Sequence, residues 1–119
     1  MTMHPYGLTF NTLRRAQQRR TERTPAYDAC ADWTHAQWMM ALVGEVGELA
    51  NFLKKVDRGD YELQHVIVDV TKELADIQCY LDLLAAKLKV DLGHATAAKF
   101  NEVSLRLGTE IYIKNDLSD

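Results

Sequence analysis

A chain of 119 residues has the length of one domain, near the size at which a single hydrophobic core becomes adequate. Its 47% hydrophobic and 26% charged residues are those of a globular protein, and no run approaches the roughly 18 uninterrupted apolar residues of a membrane span. The net charge of −3 hides an asymmetry, because Arg14, Arg15, Arg19, Arg20 and Arg23 lie together, opposed only by Glu22. The first ten residues lack a charged segment leading into an apolar one, so the expected location is the cytoplasm. Cys30 and Cys79 form no C-x-x-C or zinc spacing and are expected to be two buried, reduced thiols.

Pro and Gly cluster at Pro5 and Gly7, at Pro25, and at Arg58-Gly59-Asp60, and the stretches between them carry helical periodicity without strand-like alternation. Helices are predicted over about 8–23, 35–57, 61–89 and 92–107, within one domain whose core spans about 33–108. The first helix carries the arginines. They could follow nucleic acid or a polyphosphate, but no aromatic residue is interleaved to stack bases, which argues for a solvated face and against long nucleic acid as a partner. The second helix has a specified start: Thr34 and Gln37 have the spacing of a capping box, and Trp33 and Trp38 occupy the flanking staple positions. Base stacking is the other role open to Trp33.

Leu42, Val46, Leu49, Leu53 and Val56 form an apolar seam along the second helix. In the third, Ile67, Val70, Leu74, Ile77, Leu81, Leu84 and Leu88 follow an unbroken 3-4 spacing. Two such helices joined by a short turn should pack antiparallel. Phe100, Val103 and Leu107 of the fourth helix would then complete an all-α, four-helix-type bundle. Seams this long on a chain this short predict self-association as a homodimer or tetramer. The tail, 109–119, contains the β-prone Ile111-Tyr112-Ile113, which should pack on a partner or fray.

Shifted by 28 residues, the middle helices repeat one another. Glu45-Val46-Gly47-Glu48-Leu49 matches Glu73-Leu74-Ala75-Asp76-Ile77: acid, apolar, small, acid, apolar. Each i, i+3 spacing puts two carboxylates on one helical face, on the same flank of each seam. The stripes continue through Phe52 and Lys55 in one helix and Tyr80 and Lys87 in the other. One such pair is commonly a solvated face. Two pairs in matching register predict a group of four, which cannot all stay ionised in a shared groove without a cation. Hard oxygen ligands in that number suit Mg²⁺ or Mn²⁺ and metal-assisted phosphoryl hydrolysis. Gly44 and Gly47 each cost about 1 kcal/mol inside a helix, which calls for a close helix approach or clearance for metal and phosphate.

At these residues the sequence resembles the MazG-like branch of the all-α nucleotide pyrophosphohydrolases. The resemblance runs through Ala41–Ala50, Lys54-Lys55, Lys72–Asp76 and Ala98–Ser104. It implies a helical, dimerising fold that hydrolyses a nucleoside triphosphate between the α- and β-phosphates, releasing a monophosphate and pyrophosphate. It also implies Glu45, Glu48, Glu73 and Asp76 as the catalytic, Mg²⁺-holding carboxylates, Tyr80 as a substrate contact, and Lys55 and Lys99 near phosphates. Several relatives place an asparagine four residues after that last lysine. Here Asn101 follows Lys99 by two, about 200° round the helix, so Arg106 is the better companion. The histidines do not cluster; His35, beside Trp33, is the candidate base contact, and Trp38 is a further expected substrate contact. The competing expectation is a non-catalytic helical interaction module whose acids only keep it soluble.

Overall fold

Helix starts in this chain are written by short polar side chains. Thr34 Oγ1 accepts from the Gln37 amide at 3.1 Å while Gln37 Oε1 accepts from the Thr34 amide at 2.8 Å, the reciprocal pairing of a capping box. The indole rings of Trp33 and Trp38 meet edge-on, 4.8 Å between centroids, as the staple positions require. A second box, which the sequence reading did not single out, joins Thr9 and Thr12 at the first helix, and Asp91 accepts from the His94 amide at the last. In a computed structural model that describes residues 6–114, these caps open α1 (Phe10–Arg23), α2 (His35–Arg58) and α4 (Leu92–Leu107). Helix α3 (Leu63–Lys87) begins at Glu62 without a side-chain cap. His4, Pro5 and the last five residues of the tail lie outside the described residues.

Gly59 and Gly108 end α2 and α4 in left-handed conformations (φ 89° and 71°). Lys89 also has a positive φ, 59°, which is why the third helix stops short of the predicted position 89. A 3₁₀ segment, Pro25–Cys30, replaces the loop expected after the first helix. No strand occurs among the described residues, and no helix there is long and apolar enough to cross a membrane.

Helices α2 and α3 pack on each other more extensively than any other pair, and the short turn between them makes the hairpin antiparallel. The residues withdrawn from solvent match the predicted seam only in part: Leu42, Leu49, Val56, Val70, Ile77, Leu81 and Leu84 are among them. On α2 they run Trp38, Leu42, Glu45, Leu49, Phe52; on α3 they run Val66, Val70, Glu73, Ile77. Glu45 and Glu73 therefore stand within the interhelical rows, not on their flank. Val46, Leu53, Ile67 and Leu74, all expected inside, are exposed, Leu74 by 54%. Only one step of 100° separates the two rows on each helix, so a broad apolar face fits either register.

Helix α1 packs against α3, and α4 against α1. The α1–α3 contact is built on a buried carboxylate. Asp82, 1% exposed, accepts from Arg14 Nε at 3.0 Å and from Gln17 Nε2 at 2.7 Å. Arg14 also reaches the Val90 carbonyl in the turn before α4. At the start of α4, a Cβ on Gly93 would sit 3.2 Å from Phe10 Cβ, so the glycine permits this approach. Helix α4 thus does not complete a bundle core with α2 and α3: Phe100 is exposed, and Leu107 is 72% exposed. The tail is tied down by Asn101, whose side chain accepts from the Ile113 amide at 2.7 Å and donates to its carbonyl at 2.9 Å.

Candidate metal centre

Within the α2–α3 hairpin, the register just described brings the acids together. Carboxylate oxygens of Glu45, Glu73 and Asp76 all lie within 4.8 Å of one another, and Glu48 lies against Glu73 and Glu45. Glu45 and Glu73 are half-buried; Glu48 and Asp76, each one residue before an interhelical position, are exposed at the mouth. Burial, followed by contact with Glu48 and then Glu45, pushes the Glu73 carboxyl up to about 7. Burial also raises Glu45, with the charge of Glu48 adding to it. Oε2 of Glu73 is buried and has no hydrogen-bond partner. An orphan acceptor among crowded carboxylates is a coordination position for a proton or a hard cation. Gly44 and Gly47 have no atom within 4 Å of where a Cβ would stand, so close helix approach within the protomer does not explain them.

A cavity of about 280 Å³ adjoins the acids at Asp76, between α1, the 3₁₀ segment, the start of α2, and α3. Trp33, Trp38, Tyr27 and Tyr80 line it, with Gln17, Arg20 and the half-buried free thiols Cys30 and Cys79. Burial raises the Tyr80 phenol, helped by Glu45 and Tyr27, and raises the Cys79 thiol. Two expected substrate contacts, Tyr80 and Trp38, thus stand beside the acids. His35 is exposed outside this cavity. The other expected contacts are not assembled with the acids. Lys55 extends its ammonium toward the Tyr61 ring, 5.8 Å from the centroid, seven residues and about 10 Å along the helix from Glu48. Lys99 pairs with Glu102 at 3.1 Å and Arg106 is exposed, both on a helix whose main packing is on α1.

The sequence reading overlooked Gln17, Tyr27 and Asp82, and it gave Arg14 and Arg20 no partner within the fold. One signal was available: Asp82 interrupts the apolar run Tyr80 to Ala86, where an acid calls for a buried partner. One of the five arginines leaves the solvated face expected of it, since Arg14 binds Asp82; Arg20 stays exposed, its guanidinium 6.0 Å from the Tyr27 ring centroid.

No family model matches the chain, and no solved structure matches it. The chain is 38% identical over 69 residues to the "Gene 37 protein" of Mycobacterium phage L5, an alignment that covers 56% of this chain and 60% of that relative. The chain thus spans less than two thirds of that relative's length, and the relative's name assigns no activity.

Proposed function

We propose that the protein is a Mg²⁺-dependent nucleotide pyrophosphohydrolase of the MazG-like kind, converting a nucleoside triphosphate to the monophosphate and pyrophosphate. The observation that carries this is the approach of the Glu45, Glu73 and Asp76 carboxylates to within 4.8 Å of one another, with Glu48 against Glu45 and Glu73 and with Glu73 Oε2 buried without a partner. The donor set fits Mg²⁺ or Mn²⁺, because it is all carboxylate oxygen and includes two exposed groups at the mouth. Glu45, Glu48, Glu73 and Asp76 would hold the cation. When bound, it neutralises charge on the triphosphate oxygens and polarises the α-phosphorus toward attack by water. The chain's residues supply position: Glu45 and Glu73 are fixed by helix packing, and Tyr80 stands one turn beyond Asp76 in the adjoining cavity.

Self-association belongs to the same proposal. Met39, Val43, Val46 and Leu53 form an exposed stripe on α2, as Leu63, Ile67 and Leu74 do on α3. Each stripe is turned one residue beyond its interhelical row. In an antiparallel hairpin that step points both stripes to the same side. Asp76 and the α1 contact lie one step the other way. The radius of gyration, 17.3 Å, exceeds the value of about 13.5 Å for a compact domain of this length. A second copy laid on the apolar side would build a four-helix core and leave the carboxylate mouths open.

The test is pyrophosphate release from nucleoside triphosphates with and without Mg²⁺, in the wild type and in Glu48→Gln and Asp76→Asn. Mg²⁺-dependent release that falls by at least about a hundredfold in either variant, with helical content unchanged, is expected. Retention of most activity in both would remove the four-carboxylate site. No release from any triphosphate would leave a helical interaction module.

A further inference from the structure

Two hydrogen bonds set an antiparallel register between α1 and α3. Arg14 Nε donates to Asp82 at 3.0 Å, and Gln17 Nε2 donates to the Cys79 carbonyl at 3.0 Å. Each step goes three residues forward on α1 and three back on α3, a spacing that keeps successive residues on one helical face. One step further, Arg20 stands opposite Asp76. Both are exposed, and both line the cavity of about 280 Å³ next to the acids. Both charges also reach the Cys79 thiol, which burial pushes up, with Arg20 opposing that rise and Asp76 adding to it. Yet the two form no ion pair, and no carboxylate holds Arg20 among the described residues. Its guanidinium lies over the Tyr27 ring, a placement that uses the planar face and leaves the N–H edge for an acceptor.

A guanidinium facing a carboxylate of the candidate metal centre across an open gap calls for an anion that both sides can hold. A cation at the acids would engage Asp76 and leave Arg20 without a counter-charge. A phosphate group meets both demands, with one oxygen on the metal and the others on the guanidinium fork, which matches phosphate geometry. The lysines expected near phosphates stand elsewhere, Lys55 toward the Tyr61 ring and Lys99 on Glu102. Trp33, Trp38 and Tyr80 line the same cavity, so a nucleotide whose base stacks there brings to the gap the phosphate joined to its own sugar. From this geometry we infer that Arg20 is a substrate-binding residue that holds the α-phosphate of the nucleotide, opposite the metal ligand Asp76. There the guanidinium also meets the charge that develops on the α-phosphoryl oxygens as water attacks. This rests on the pyrophosphohydrolase proposal in taking a nucleotide as the ligand; the contact itself is read without hydrolysis.

Trp33 and Trp38 are the chain's two tryptophans and both line the cavity, so intrinsic fluorescence reports its occupancy. The full-length protein with Mg²⁺ is titrated with the four common deoxynucleoside monophosphates and with their nucleosides. At least one monophosphate should bind about tenfold or more tightly than its nucleoside. Arg20→Leu should weaken that monophosphate by at least about tenfold and leave the nucleoside within about twofold. Arg20→Lys should recover part of the loss, because it restores the charge without the fork. Arg20→Gln, which removes the charge and keeps a polar side chain, serves if Arg20→Leu does not fold. A role confined to shaping the cavity would weaken nucleoside and monophosphate alike. That result, an unchanged monophosphate affinity in the folded variant, or no fluorescence response to any monophosphate would each overturn the inference. Mg²⁺-dependent pyrophosphate release with kcat/KM unchanged in Arg20→Leu would overturn it and leave the hydrolase standing. Monophosphate binding that depends on Arg20, without release from any triphosphate, would do the reverse.

Discussion

Glu73 occupies the place in α3 where an apolar residue would complete the row Val66, Val70, Ile77 against α2. A carboxylate in that row loses water and faces Glu45 and Glu48, which is why its carboxyl is held near 7 when its ordinary value is 4.5. The folded state therefore binds a proton that the unfolded chain releases between about pH 4.5 and 7. The sign follows from linkage: the contribution is fully present below about 4.5 and is lost as pH rises through about 7. With chelator present, the melting temperature should decline across that window. Glu73→Gln should flatten the decline, and Mg²⁺ should reverse it by replacing the proton. A melting temperature that rises from pH 4.5 to 7 in chelator would contradict this placement of Glu73. The acids were legible in the sequence from spacing alone, but their position was not. Periodicity identifies an apolar face roughly 100° wide and leaves its register to the partner helix, so Glu45 and Glu73 looked like flanking residues.

Among the elements, local chemistry and the α2–α3 hairpin were predicted well, and the packing of α1 and α4 was not. The Thr34 and Gln37 box, the tryptophan staple and the turn at Gly59 depend on neighbours within about five residues, and the structure contains all three. The docking of α1 on α3 depends instead on Asp82 meeting residues 65 and 68 positions away. One acid in an apolar run gave the only hint of it. Helix α4 was placed in the bundle because Phe100, Val103 and Leu107 repeat at helical spacing, yet its partner in the protomer is α1. Asn101, which looked misplaced for a phosphate contact, ties the tail to α4 through the Ile113 backbone. The packing makes a specific demand on α1. Asp82→Ala strips Arg14 and Gln17 of their shared acceptor and should cost about 3 kcal/mol in denaturant-induced unfolding. A loss below about 0.5 kcal/mol would mean that Asp82 does not carry the contact.

For the molecule as a whole, the proposed self-association rests on the exposed apolar stripe along Met39, Val43, Val46, Leu63, Ile67 and Leu74. Light scattering at micromolar concentration should return at least twice the chain mass of 13.6 kDa. Leu74→Glu, which puts a charge in that stripe away from the acids' mouth, should shift the species toward the monomer. A wild type that remains at 13.6 kDa would contradict a shared apolar side.

The central claim concerns which bond the carboxylate site breaks, and isotope placement tests it directly. Hydrolysis of a deoxynucleoside triphosphate with Mg²⁺ in ¹⁸O-labelled water distinguishes the possible points of attack. Water attacking the α-phosphorus breaks its bond to the α,β-bridging oxygen, so the label should appear in the monophosphate and none in pyrophosphate. Label in released orthophosphate would show cleavage at the γ-phosphate, and label in pyrophosphate would show attack at the β-phosphorus. Either result would contradict the proposed reaction even with the four carboxylates holding the metal.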